Sequence, residues 1–304
     1  MATIGITGGT GTIGRTLGQF LLDKGHQVIV LCRAVPKNKQ KGIQYALWNP
    51  YKRELDATSL ANTEYLINLA GAGVADKRWT SSRKQEIAES RIASGETLVQ
   101  FLQTKPNVVK GIISMSAIGW YGPDRGKIFS EEDPAYDDFL GATCKAWEQS
   151  IAPVSALGKR LVTLRTGIVL TKEGGALPEF TKPVQFGVAP ILGSGKQMIS
   201  WIHVQDLCRM IEWGMEHEEI KGIFNAVSPH PVNNKTMMLT IARILRGRFF
   251  IPIPVPAFVL KLMLGEMSIE VLKSATASSK KAEDAGFAFR FDQLEKALED
   301  LNQR

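Results

Sequence analysis

Thr7-Gly8-Gly9-Thr10-Gly11-Thr12-Ile13-Gly14 is the stretch on which the reading of this chain turns. It follows a short apolar run, Ala2 to Thr7. It precedes a helical pattern in which Leu17, Phe20 and Leu21 recur at i, i+3 and i+4 until Gly25 stops it. Val28 to Leu31 is then continuously apolar, as expected of a strand covered on both faces. Strand, glycine turn, helix and strand make a βαβ unit. Gly8 permits the tight turn off the strand, Gly11 lets the backbone approach a pyrophosphate, and Gly14 lets helix and sheet pack closely. The helix N-terminus offers free N–H groups and the positive end of its dipole to the anion. A glycine triplet in this context points to a dinucleotide.

Working outward, short apolar runs recur at Tyr65 to Leu69, Val109 to Ser114 and Leu161 to Leu164, separated by helical patterns at Ser81 to Gln103 and Phe139 to Leu157. Alternating strands and helices predict a parallel sheet in an α/β domain, doubly wound in the Rossmann manner. After about Gly167 the regularity fades, and a helix-rich tail begins near Asn234. The expected organisation is a dinucleotide-binding domain over 1–166, with 201–228 returning to it. A smaller C-terminal substrate lobe would be built from 167–200 and 229–304. Ligands would bind at the C-terminal edge of the sheet.

At 304 residues, 44% hydrophobic and 22% charged, the chain has ordinary globular composition, which excludes a disordered or disulfide-stapled chain. No run reads as a membrane span: the apolar segment Phe249 to Leu264 is broken by Pro252, Pro254 and Pro256 and carries Lys261. The glycines near the start argue against a signal peptide. Cys32, Cys144 and Cys208 are far apart, which suits a reducing cytoplasmic setting and implies no metal. The net charge of +7 comes from dispersed residues, densest at Lys37, Lys39 and Lys41. This predicts a solvated surface or an anionic small-molecule ligand rather than nucleic acid.

The Gly-x-x-Gly-x-x-Gly spacing preceded by Thr7 resembles the short-chain dehydrogenase/reductase superfamily. Asn68-Leu69-Ala70-Gly71 is similar to the motif that ends that superfamily's fourth strand beside the adenosine. Several runs resemble an atypical extended branch, the epimerase family proteins or NAD-dependent epimerase/dehydratases. They include Ser116-Ala117-Ile118-Gly119-Trp120-Tyr121-Gly122, Leu164-Arg165-Thr166-Gly167 and Trp201-Ile202-His203-Val204-Gln205-Asp206-Leu207. Lys77-Arg78-Trp79, Leu264-Gly265-Glu266 and Gly286-Phe287-Ala288-Phe289 extend the likeness along nearly the whole chain. The resemblance implies that Thr7, Gly8, Gly9, Thr10, Gly11, Thr12, Ile13 and Gly14 hold the cofactor together with Asn68 to Gly71. An acid after the second strand would favour NAD. This chain has Cys32-Arg33 followed by Lys37 and Lys39, so NADP(H) is expected over NAD(H), with Arg15 a second candidate for the 2′-phosphate.

The superfamily's chemistry uses a Ser or Thr, a Tyr, and a Lys four residues after the Tyr, an i, i+4 pair on one helix face. Lys145 lies in the expected helix, but Gly141 stands where the tyrosine belongs, and Thr143 and Tyr136 have the wrong spacing. Ser116 is the expected partner of a substrate oxygen. Tyr121 is the substitute phenol, and Lys145 is a catalytic or ribose-binding residue. The polar anchors that related sugar-nucleotide enzymes carry are replaced here by Ile199 and Ile168, so that substrate does not follow from the family. His203 reads as structural. Arg78, Trp79, Arg83 and Arg91 read as a helix surface or an anion contact.

The expectation is an NADP(H)-dependent oxidoreductase or epimerase/dehydratase on an unknown small molecule. Hydride would pass to or from a carbon held by Ser116, with a non-standard acid/base. The alternative is an NADP(H)-binding regulatory or sensor protein. No nucleic-acid or membrane partner is expected, and a homodimer is left open.

Overall fold

The chain alternates between strands covered on both faces and helices with one apolar stripe, and the tertiary structure follows from pairing the two. The structure, a computed structural model, describes residues 1–303. The strands are β1 (Thr3–Thr7), β2 (Gln27–Cys32), β3 (Ile43–Asn49), β4 (Glu54–Leu55), β5 (Tyr65–Asn68), β6 (Gly111–Ala117), β7 (Ile128–Phe129) and β8 (Arg160–Thr166). They continue with β9 (Ile168–Leu170), β10 (Val188–Leu192), β11 (Met198–Ile199), β12 (Trp201–His203), β13 (Gly222–Ala226), β14 (Val232–Asn233), β15 (Ile251–Val255) and β16 (Thr276–Ala277). The helices are α1 (Thr12–Asp23), α2 (Ser81–Thr104), α3 (Phe139–Ile151), α4 (Ala176–Gln185) and α5 (Val204–Glu216). Then come α6 (Asn234–Arg246), α7 (Ala257–Leu264), α8 (Ser268–Leu272), α9 (Lys280–Asp284) and α10 (Leu294–Gln303).

Eight strands form the main sheet in the order β13-β8-β6-β5-β1-β2-β3-β4, parallel except for β4. Side chains on one strand alternate between its faces. Ile4, Ile6, Val28 and Val30 pack with Leu17 and Leu21 of α1 and Leu207 of α5. Ile29, Leu31 and Leu66 meet Leu98 and Phe101 of α2 on the other face. Fully buried aliphatics of this kind are worth roughly 1.5–3 kcal/mol each, so the two faces hold the sheet. A separate core joins Leu177 and Val184 of α4, Met237 and Ile241 of α6, and Leu298 of α10. It lies with the two-stranded pairings β10–β15, β11–β14 and β9–β12, while a fourth pairing, β7–β16, packs with Tyr121 and Val227.

Three local expectations change. β3 is a full strand that the apolar pattern does not announce, because only Ile43, Ala46 and Trp48 of its seven residues are buried. The helix from Phe139 ends at Ile151 and passes into a 3₁₀ segment, Ala152–Leu157. Pro153 there has no N–H to continue the α-helical ladder. β6 runs on to Ala117, so Ser116 lies within the strand rather than after it.

Candidate functional site

From β1 the chain moves outward to β2 and β3, then crosses back to β5 on the other side of β1. Connections leave in opposite directions at this switch point, and a crevice opens beyond the strand ends. A cleft of about 420 Å³ occupies it, lined by Gly8, Gly11, Arg33, Trp48, Tyr51 and Gly71 among others. The three glycines serve different needs. Gly8 has φ +67°, and a Cβ there would lie 2.9 Å from the Leu69 carbonyl. A Cβ on Gly14 would collide with the Gly8 oxygen and come within 2.5 Å of Gly9 Cα. At Gly11 a Cβ would meet only the Gly8 oxygen at 3.3 Å, so packing does not demand glycine there. Gly11 also precedes α1 as a cap without a side-chain acceptor, which leaves first-turn N–H groups available to an anion.

Thr7 and Asn68 stand behind the cleft, and both are fully buried. Thr7 Oγ1 donates to Asn68 Oδ1 at 2.8 Å and accepts from the Leu69 and Ala70 N–H groups at 3.2 Å. Ser94 Oγ donates to the same Asn68 oxygen at 2.6 Å. These two residues position the Leu69–Gly71 wall and do not touch the cleft themselves. Arg33 follows the last residue of β2, is exposed, and lines the cleft. Among the described residues it has no carboxylate partner. Arg15 is exposed one residue past Gly14 but is not part of the cleft lining. The cradle fits a nicotinamide dinucleotide: open space at Gly11, a helix start without a side-chain cap, and Trp48 and Tyr51 in the lining.

Of the expected catalytic residues, Ser116 and Tyr121 join one buried polar network, and Lys145 stands apart from it. Ser116 is 2% exposed, and its Oγ donates to Glu148 Oε1 at 2.7 Å. Glu148 accepts a bidentate pair from Arg165, Nε at 2.9 Å and Nη2 at 3.0 Å. Arg165 Nη1 donates to the Tyr121 hydroxyl and the Glu131 carbonyl, each at 3.1 Å, and its guanidinium lies 3.7 Å from the Trp120 ring centre. Tyr121 donates to Asn225 Oδ1 at 2.8 Å and stacks on Phe129. It is fully buried, and burial pushes its phenol up to about 12. Tyr121 is therefore a strut between β13 and Arg165, not a phenol presented to a crevice.

Lys145 is corrected by helix geometry. It is exposed, while Cys144 and Glu148 are the α3 residues that face Ser116, and Cys144 also faces Gly119. Leu140 lies one turn earlier on the same face, its Cβ 3.2 Å from where a Gly119 Cβ would stand. The α3 face turned toward β6 and Gly119 is thus Leu140/Cys144/Glu148, not Gly141/Lys145, and its one polar group toward Ser116 is the Glu148 carboxylate. Burial pushes the Cys144 thiol up to about 12, so it is not a ready thiolate. Gly141 has no room for any side chain, because a Cβ would collide with the Tyr136 carbonyl.

Other motif residues are absorbed by structure. His203 caps α5 by accepting from Gln205 N at 3.1 Å and stacks on Phe291. Asp206 is fully buried and accepts from the N–H groups of Arg290 and Phe291, which docks the tail onto α5. Ile199 and Ile168 pack in the second core. Arg83 pairs with Glu86 at 2.6 Å, Arg91 lies over Trp147 at 4.9 Å, and Trp79 Nε1 donates to Val74 O. Sequence reasoning missed Glu148 and Arg165. The available signal was an arginine directly after the strand run Leu161 to Leu164, still within β8.

Comparison with known proteins places this geometry. Residues 4–227 match the family model described as NAD dependent epimerase/dehydratase family, and residues 255–301 match a domain of unknown function, DUF1731. The chain is 37% identical over 299 residues to the epimerase family protein YfhF of Bacillus subtilis, spanning 98% of this chain and 97% of that protein. It is 31% identical to the epimerase family protein ML0860 of Mycobacterium leprae, spanning 98% and 94%. The crystal structure of human epimerase family protein SDR39U1 with NADPH superposes with a TM-score of 0.88 at 26% identity, covering 99% of both chains. With a glycine turn at the switch point and these relatives along its whole length, the chain belongs to the NAD-dependent epimerase/dehydratase family of Rossmann-fold short-chain dehydrogenase/reductases.

Proposed function

We propose that the chain binds NADP(H) in preference to NAD(H) and acts as an oxidoreductase or epimerase on a small molecule. The observation that carries the cofactor preference is Arg33: an exposed guanidinium without a carboxylate partner among the described residues, lining the cleft where β2 ends. The structure of human SDR39U1 with NADPH supports the same reading. The bound cofactor would supply hydride transfer at the nicotinamide. Gly11 and the start of α1 would hold the pyrophosphate, and Trp48 and Tyr51 would flank the adenosine. Ser116 is the candidate contact for a substrate oxygen. Its hydrogen is drawn to Glu148, so its oxygen is left to accept from a substrate hydroxyl. Arg165 fixes Glu148 and acts as a positioning residue.

Calorimetric titration with NADPH and NADH tests the cofactor half. A charge-assisted contact is worth roughly 1.5–3 kcal/mol, so NADPH should bind at least about 10-fold tighter, and Arg33→Ala should erase the difference. Equal binding by the two dinucleotides refutes it. NADPH consumption with a panel of aldehydes, ketones and quinones tests the catalytic half. A cofactor-binding sensor is the second reading. It is favoured by the Ser116 and Tyr121 hydroxyls, both buried and engaged inside the protein. No turnover above the protein-free rate, with NADPH bound, would decide for the sensor.

A further inference from the structure

From Arg243 to Gly265 the chain carries Arg243, Arg246, Arg248 and Lys261 and no Asp or Glu. Its apolar side chains stand in solvent: Phe249 is 82% exposed, Ile251 67%, Phe258 72% and Leu262 78%. Phe186 adjoins them, because Ile251 N donates to Gly187 O where β15 pairs with β10. Phe258 and Leu262 are four residues apart on α7 and share one face. Single exposed apolar residues are ordinary, but this many within one short stretch of chain mark an interaction surface.

Two features choose the occupant. The first is the edge of β15. Ile251 N and the Val255 carbonyl bond toward β10. Successive N–H groups along a strand point to opposite edges. The outward positions are Pro252 and Pro254, which have no N–H to give. An edge without donors does not template another strand, so this face is not built to pair with a second copy through β15. The second feature is charge. Cations around a protruding apolar ribbon match an anionic bilayer: aromatic and aliphatic groups enter the acyl boundary, and guanidinium groups remain at the phosphates.

We propose that the β15–α7 face is a peripheral binding surface for an anionic lipid bilayer. Among the described residues no helix is long and apolar enough to cross a membrane, so the protein would lie on the surface. The proposal departs from the sequence expectation of no membrane partner. The face is tied to the cofactor side of the molecule. Arg78 Nη2 donates to Leu262 O at 3.0 Å, and Lys84 pairs with Glu266 at 2.9 Å, just before and within the first turn of α2.

The test is flotation of the full chain with phosphatidylcholine vesicles and with vesicles containing about 30% phosphatidylglycerol. The anionic vesicles should bind at least about 10-fold more protein. Each cation near such a surface is worth about five-fold, so Arg246→Ala/Arg248→Ala should weaken binding about 25-fold. Phe249→Ser/Phe258→Ser should abolish flotation with the melting temperature unchanged, since both side chains are largely exposed. Phe258→Trp offers a second readout: its difference emission should shift to the blue only with anionic vesicles. The proposal is overturned by absence of flotation, by equal binding to both vesicles, or by an unshifted Phe258→Trp emission. It is also overturned by a dimer in light scattering that Phe249→Ser/Phe258→Ser converts to monomer, which would assign the face to a second copy.

Discussion

Replacing Arg165 with leucine removes the centre of the buried polar network. Four hydrogen bonds go at once, two to Glu148, one to Tyr121 and one to the Glu131 carbonyl. Glu148, with a side chain 10% exposed, is left with Ser116. Removing one partner of a buried ion pair costs about 3–5 kcal/mol, because the remaining charge is desolvated without compensation. At ~2.1 cal/mol/K per residue, a chain of 304 residues melts with an entropy of roughly 0.6 kcal/mol/K, so the midpoint should fall by about 5–8 °C. The double variant Arg165→Leu/Glu148→Leu removes both charges and should regain most of that loss, since apolar replacement of a buried pair is often near neutral. Thermal melts followed by circular dichroism, with urea titrations to check the slope, measure both. A single variant within 2 °C of the parent, or a double variant worse than the single, would refute the idea that Arg165 is there to neutralise Glu148.

Gly14→Ala should abolish folding or cofactor binding, because its Cβ meets the Gly8–Gly9 backbone. Gly11→Ala should keep its melting temperature yet lose at least about 10-fold in dinucleotide affinity; a parallel loss of both in Gly11→Ala would mean the position serves packing. Tyr121, held near 12 against an ordinary 10.0, contributes stability that is whole below pH 10 and is lost as pH rises through 12, on the order of 2–3 kcal/mol. Urea titrations between about pH 9 and pH 11.5 should therefore show a shallower decline in Tyr121→Phe than in the parent, and equal declines would count against a buried neutral phenol. Lys145→Ala, at an exposed position, should change stability by less than about 0.5 kcal/mol and leave dinucleotide affinity untouched by calorimetry.

The glycine turn and its cofactor were legible in the sequence because their constraints are local. Gly8, Gly11 and Gly14 constrain one another within a single turn, and the nearest distant neighbours of the turn are the Leu69–Ala70 backbone and Val30. The parallel sheet was legible for a related reason: strands covered on both faces carry continuous apolar runs, such as Val28–Cys32 in β2 and Ile112–Ile113 in β6. β3 escaped because it is covered on only part of its length. The catalytic end was not legible. Ser116 on β6, Glu148 on α3, Arg165 on β8, Tyr121 in a loop and Asn225 on β13 meet across five separate segments. No spacing in the chain encodes that meeting. The rotation of α3 is the sharpest case. One residue along a helix is a turn of about 100°, which decides whether Lys145 or Cys144 faces Ser116. The i, i+4 pattern is satisfied equally by Gly141/Lys145 and Leu140/Cys144. Sequence alone set the dinucleotide turn. The packing of α3 against β6, which buries Cys144 and Trp147 and leaves Lys145 in water, decided which side chains stand where the chemistry would occur.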